Sequence, residues 1–316
     1  MKKLLKQVVR ILLFIFILLN IIAAFHAYKF THFYEKGQFS VKKPELMTGW
    51  DKTKAILFGI NYSKLPIAAT PTHSYQTIYL TTTDNILLEG WHIPKDSAKG
   101  TVILFHGHGG NKGGVLIEAN NFYNFGYDVC LVDFRAHGNS KGDICTVGYN
   151  ESRDVKAAYD FIKAKGEKNI VLWGISLGAA TITKAMADYK DIEPTKVILE
   201  MPFASLTDAV IGRLRIMHLP AQPLATMLTF WGGIEQGFWA FRHKPAEYVK
   251  SIKVPVLLQW GKNDVRVSDV ETYEIFGHIP SLKKKLVIYS ESGHQSLAKN
   301  EPVKWNETVN SFLEDK

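Results

Sequence analysis

A mostly parallel central sheet flanked by helices on both faces is the fold this sequence predicts, and three observations lead to it. Short apolar runs, such as 101–105 and 254–260, stop at a glycine turn, as strands buried on both faces do. Stretches with helical spacing lie between them, so strand and helix alternate along most of the chain. Right-handed crossovers then set the strands side by side in one α/β domain, assigned to residues 74–316.

Read from the N-terminus, the first element is a membrane signal. Lys2, Lys3, Lys6 and Arg10 precede an apolar run, 11–27, that only Asn20 and His26 interrupt, and no acidic residue comes before Glu35. A spanning helix needs about 20 apolar residues, within a range of about 17 to 25, so the run is at the short end. It also has the proportions of a signal-peptide core. The best small-residue cleavage site, ending at Ala24, puts Ile22 where a small residue is wanted, which favours an uncleaved N-terminal transmembrane helix within 1–27 over a cleaved signal. The run is apolar all round and lacks the polar face of an interfacial helix. Basic residues ahead of it put the N-terminus in the cytoplasm and the main domain on the extracytoplasmic side.

Residues 28–73 mix lysines, aromatics and aliphatics without a period, and read as a linker or N-terminal extension packed loosely on the domain. Residues 76–80 and 86–91 flank Thr83-Asp84-Asn85 as a β-hairpin. The run 101–105 follows, then a helical stretch near 112–125, a strand at 127–133, and a helix over 151–165 with Val155, Ala158, Tyr159 and Ile162 on one face. Further strands are predicted at 170–173, 196–200, 254–260 and 285–289, with helices after 176, 267 and 296. One interval, about 203–248, is long for a crossover. Rich in Leu and Met, it carries Phe230, Trp231, Phe238, Trp239 and Phe241, and reads either as ordinary helical packing or as a small helical cap whose aromatics shape an acyl pocket.

Composition excludes several classes. With 316 residues and 46% hydrophobic content the chain can bury a large core, and it is not disordered. Four of the eight net positive charges fall in the first ten residues, and no basic stripe interleaved with aromatics remains to bind nucleic acid. Cys130 and Cys145 form neither a disulfide framework nor a metal spacing, although a bridge between them is left open.

The chemistry lies in three turns. Gly174-Ile175-Ser176-Leu177-Gly178 follows a buried strand and precedes a helical pattern. A bare G-x-S-x-G arises by chance in roughly one such chain in ten, so the strand-to-helix context carries the weight. In that context the glycines permit a sharp turn that exposes the serine hydroxyl above the sheet edge. A serine hydroxyl needs a base to remove its proton and an acid to orient that base. Asp264 follows the run 254–260 and His294 follows 285–289, which gives the order nucleophile, acid, base; Glu200, at another strand end, is the rival acid. In a fourth turn, Phe105-His106-Gly107-His108-Gly109-Gly110, the backbone N–H of His108 is the candidate partner of the Leu177 N–H in an oxyanion hole. His106, His108 and His137 lack an accompanying carboxylate or cysteine at ligand spacing, so no metal is expected, and Lys112 is not followed by the Ser or Thr of a phosphate-binding loop.

With these motifs in place, residues from about 75 to 316 resemble the α/β-hydrolase family, especially its esterase-like and serine-aminopeptidase-like members. The resemblance rests on His106-Gly107-His108-Gly109, the Ser176 turn, Gly261-x-x-Asp264, Gly293-His294 and the stretch 133–140. That stretch matches the family's Asp-x-Arg-Gly-His-Gly-x-Ser turn except for Ala136, and Val267-Ser268 stands where a Val-Pro step is common. The resemblance implies an α/β-hydrolase fold with a helical cap. It also implies a serine hydrolase without cofactor, in which Ser176, Asp264 and His294 cleave a carboxylic ester; the aromatics of 230–241 and the membrane segment favour a small-molecule or lipid-like ester with an apolar acyl group. A peptidase or thioesterase uses the same groups, and a non-catalytic binding or scaffold protein on the same fold is the alternative from another class.

Overall fold

The computed structural model describes residues 2–35 and 46–315. The apolar N-terminal segment is one helix, α1 (Lys2–Thr31), about 45 Å long at 1.5 Å per residue. It is long and apolar enough to cross a membrane, with a mean hydropathy of 2.8 over its best 18-residue window. Residues 2–18 are exposed, whereas Ala23, Ala27 and Thr31 are buried against the rest of the chain.

Of the stretch 28–73, residues 36–45 lie outside the described residues, and 28–35 and 46–73 are held more firmly than their irregular pattern suggests. β1 (Phe33–Tyr34), α2 (Gly49–Phe58) and β2 (Tyr62–Ser63) follow α1, and β1 pairs with β2 in a two-stranded parallel sheet. A capping box starts α2: the Thr48 hydroxyl accepts from the Asp51 N–H, and the Asp51 carboxylate accepts from the Thr48 N–H. Phe33 and Tyr62 are only 4% and 5% exposed and belong to the main core. Backbone bonds from Phe33 N–H to Asp143 O and from Cys145 N–H to Thr31 O tie the segment to the domain. Such isolated anchors leave no periodic trace in a sequence.

The domain then alternates as expected. Its elements run β3 (Gln76–Thr81), β4 (Leu87–Ile93), β5 (Thr101–Phe105), α3 (Leu116–Asn124), β6 (Asp128–Val132), α4 (Ser152–Ala164), β7 (Ile170–Ile175), α5 (Leu177–Asp188) and β8 (Lys196–Glu200). The long interval holds α6 (Leu206–Ile216), α7 (Leu224–Glu235) and the single turn α8 (Pro245–Tyr248). After it come β9 (Val256–Gly261), α9 (Asp269–His278), β10 (Lys284–Tyr289), α10 (Leu297–Asn300) and α11 (Pro302–Glu314).

The main sheet has eight strands in the order β10-β9-β8-β7-β5-β6-β4-β3. Every pairing from β10 to β6 is parallel, and the β6–β4 and β4–β3 pairings are antiparallel, so β4 alone is reversed. β5 and β9 are buried along their whole length, which explains their continuous apolar composition. β9 starts two residues later than its apolar run, because Pro255 has no N–H to donate to a ladder. On α4, Val155, Ala158, Tyr159 and Ile162 form the buried face that the spacing predicts. Cys130 and Cys145 are both buried and unbridged.

Candidate active site

β7, β9 and β10 are parallel, so their C-terminal ends reach one sheet edge. Ser176 is the residue between β7 and α5. Its φ of 54° and ψ of −112° are a conformation that L-residues seldom adopt, and its N–H donates to Glu200 O at 2.7 Å. The flanking glycines are there for close approach. A Cβ on Gly174 would lie 2.5 Å from the Gly178 carbonyl carbon, and one on Gly178 would collide with the Phe105 carbonyl. Only without those Cβ atoms does α5 start directly against β5 and β7.

The loops after β9 and β10 are laced together: Asn263 N–H donates to Ser292 O, and a Cβ on Gly261 would lie 2.5 Å from that same oxygen. Across this contact His294 Nδ1 is 2.7 Å from Asp264 Oδ2, and His294 Nε2 is 2.8 Å from Ser176 Oγ. Asp264 Oδ1 accepts N–H bonds from Arg266 (2.7 Å) and Val267 (2.9 Å). An ionised carboxylate only accepts, so the proton of the neutral imidazole belongs on Nδ1, and Nε2 is free to accept from the serine hydroxyl. Glu200, the rival acid, points into the core, where its Oε1 receives the ring N–H of Trp173 and of Trp305 and the Gln259 amide.

The glycine-rich turn after β5 faces the serine: a Cβ on Gly107 would lie 3.6 Å from Ser176 Cβ. Two histidines pin this turn. His106 donates from Nδ1 to Gly107 O and accepts the Phe134 N–H at Nε2; His137 donates from Nδ1 to Arg135 O and accepts the Gly109 N–H at Nε2. Burial away from water pushes these rings down to about 4 and about 3, so both are neutral, with each nitrogen already engaged. Lys112 is fully buried, its ammonium 2.5 Å from Asp133 and 2.9 Å from Glu89. Among the described residues no group of three or more His, Cys, Asp or Glu side chains is arranged to hold a metal.

His108, whose N–H the sequence pairs with that of Leu177, has its ring in an aromatic cluster. It stacks on Phe30 at 4.8 Å and meets Tyr62 edge-on at 5.2 Å, and its Nε2 is buried without a partner. Leu177 opens α5, where first-turn N–H groups have no intrahelical acceptor. Phe30 and Tyr62 are not legible in the sequence as neighbours of the site, since both come from the irregular stretch 28–73.

Beside this cluster an apolar cavity of about 280 Å³ lies between α1, α2, α6 and α7. Aliphatic residues form most of its wall. Of the five aromatics in 230–241 expected to shape a pocket, only Phe238 lines it; Trp231 instead donates to Asn20 Oδ1 on α1 at 3.0 Å, and Trp239 is 52% exposed. Nor does the sequence pattern reveal that α1 itself supplies a wall.

Known proteins agree with this architecture. The family model described as serine aminopeptidase, S33, matches residues 96–234, a span that includes Ser176 but ends before Asp264 and His294. The uncharacterized protein YqkD of Bacillus subtilis is 25% identical over 72% of this chain and 75% of its own length. A Saccharomyces cerevisiae protein described as an uncharacterized membrane protein, YNL320W, is 30% identical over 43% of this chain and 48% of its own. Among solved structures, the Pyrococcus furiosus esterase Pf2001 superimposes with a TM-score of 0.68 at 26% identity, covering 81% of this chain and 97% of that one. The Exiguobacterium antarcticum esterase EaEST shares the fold at 18% identity, with a TM-score of 0.58 over 76% of this chain and all of its own. From the sheet order, the serine turn and these likenesses, the chain has the α/β-hydrolase fold and is similar to members of that family.

Proposed function

We propose that this hydrolase is a serine carboxylesterase acting on esters with an apolar acyl group, through a covalent acyl-enzyme. The observation that supports the reading is the unbroken relay from Ser176 Oγ through His294 to Asp264, with contacts of 2.8 and 2.7 Å. Ser176 Oγ attacks the acyl carbonyl while His294 Nε2 takes its proton. Charge grows on the carbonyl oxygen, and the N–H groups of His108 and Leu177 are assigned to receive it. Collapse expels the alcohol, which leaves with the proton held on His294. Water, deprotonated by the same imidazole, then releases the acid and restores the serine. Asp264 holds the ring in one tautomer and balances the imidazolium. None of these steps needs a cofactor.

A peptidase draws support from the family description alone, whereas the esterase reading draws on the structural likeness to Pf2001 and on the apolar cavity beside the site. In the same reading α1 is an uncleaved anchor with the domain on the extracytoplasmic side; a mature N-terminus near residue 25 would instead mark a cleaved signal. The test is hydrolysis of p-nitrophenyl esters of increasing chain length by the full chain in detergent, beside Ser176→Ala and fluorophosphonate labelling. Turnover and labelling that both vanish in the variant are expected. A wild-type chain that is folded yet unlabelled and inactive on every ester would point to the non-catalytic alternative.

A further inference from the structure

We propose that the cavity between α1, α2, α6 and α7 is the acyl-chain site for a bilayer lipid ester, and that the chain passes into it sideways from the membrane. The proposal rests on the hydrolase reading above and adds where the substrate comes from and which residues hold it. The N-terminal helix is then both anchor and pocket wall.

Depth is the first argument. If the basic cluster ending at Arg10 sits at the far headgroups, about 20 residues at 1.5 Å each are needed to cross a core of roughly 30 Å, which brings the near interface to about residue 30. Only residues 2–18 of α1 stand clear of the domain, so the part from Leu19 onward, and the α7 surface packed on it, sit at the depth of the near leaflet. α7 suits that position, being apolar around most of its circumference. The second argument is the mouth. Ile22 of α1 and Ile56 of α2 line the cavity and are also 42% and 38% exposed, so it opens between these helices. Beside the opening α2 and its flank expose Leu46, Trp50, Leu57 and Phe58, an apolar set suited to the membrane interface.

The third argument is the lining. Leu19 and Phe30, both on the wall, are about 16 Å apart along α1, a length that fits one extended long acyl chain. Most of the wall is aliphatic, with Lys29 and Arg213 among its polar residues, and two of its hydroxyls, those of Tyr62 and Thr229, are buried with no partner. Unpartnered buried hydroxyls are costly unless a ligand oxygen meets them. Tyr62 is at the inner end, against His108, whose neighbour Gly107 faces Ser176. The triad itself is not on the wall, so the polar end of a chain in the cavity would reach the serine past the Tyr62–His108 contact.

The experiment uses the full-length Ser176→Ala protein in phosphatidylcholine vesicles doped with a diazirine-bearing palmitoyl ester. Cross-links are expected on lining residues of 19–30 and of α6 and α7, and Gly232→Leu is expected to cut them about tenfold while leaving those on the lipid-facing residues 11–18 unchanged. A Cβ at Gly232 would be in ordinary contact, 3.9 Å from Ala27 Cβ, and the rest of the Leu side chain takes up space beside α1; Leu228→Trp, at a lining position outside that small-residue contact, is the second filling variant. Labelling confined to 11–18, or undiminished by both fillings, overturns the proposal. In the active enzyme the ratio of palmitate to butyrate kcat/KM should fall at least tenfold on filling, the effect of excluding about two methylenes; an equal fall for both esters also overturns it. Cavity labelling in a chain without Ser176-dependent turnover would leave the lipid site standing and sink the catalytic reading instead.

Discussion

Replacing Asp264 by Asn removes one charge and changes almost nothing else. Its Oδ1 accepts N–H bonds from Arg266 and Val267, so in the Asp264→Asn variant the amide oxygen is held in that position and the NH2 must face His294. That NH2 only donates. His294 Nδ1 is then obliged to accept, its proton moves to Nε2, and Nε2 no longer accepts from Ser176 Oγ. The base is lost although the ring has not moved. The wrong tautomer together with the lost stabilisation of the imidazolium is expected to lower kcat about 10⁴-fold, or roughly 5.5 kcal/mol in the barrier. Thermal stability should change by less than about 1 kcal/mol, because both backbone bonds survive. Initial rates on p-nitrophenyl butyrate and the rate of fluorophosphonate labelling, at equal folded fraction, measure the effect. A variant within tenfold of wild type on both would refute the assignment of Asp264 as the acid.

The remaining predictions concern the frame around the site. Burial, the Glu118 carboxylate and an Oε2 without a partner push Glu200 up to about 8, despite three N–H donors on Oε1. Because the folded value exceeds the unfolded one of about 4.5, the native state holds the extra proton, and stability falls as pH rises from about 4.5 through 8, by roughly 5 kcal/mol at full extent. Urea unfolding at pH 6 and pH 9 should show about 3 kcal/mol of that loss in the wild type and a flatter profile in Glu200→Gln; parallel profiles would contradict it. Gly178→Ala drives a methyl into the Phe105 carbonyl of β5 and should cost at least about 3 kcal/mol, read as a fall in Tm, with a wild-type melt counting against the close approach. Asn20→Leu removes the acceptor of the Trp231 indole and is expected to weaken the α1–α7 contact by about 1 kcal/mol, visible as faster proteolysis between α1 and the domain and a shifted Trp emission.

What made the sheet and the three turns readable was that each is a steric necessity. The continuous apolar run of β5 reports burial on two faces, and Gly174, Gly178 and Gly261 report backbone neighbours within reach of a missing Cβ. Ser176, Asp264 and His294 each sit just past a strand of a parallel sheet, so their meeting follows from topology once the strands are placed. The structural role of His106 and His137 is not legible in sequence, because a ring that staples a loop through backbone N–H and C=O leaves the same letter as any other histidine; their occupied nitrogens show it.

The contribution of α1 was hidden for a different reason. A helix that is apolar all round looks the same whether lipid or protein covers it, since in the bilayer hydrophobicity does not favour one over the other. What betrays a protein-facing side is therefore a departure from plain aliphatic character. α1 has three such departures on one flank: Asn20, which bonds to Trp231 across 211 positions, and Ala23 and Ala27, whose small side chains let α7 approach at Gly232. Asn20 thus reads as part of a helix contact, rather than as an interruption of the apolar run. Because Ala23, Ala27 and Gly232 are also cavity lining, the spacing that docks the helix leaves the space beside it, and changing any of the three alters both anchoring and pocket volume.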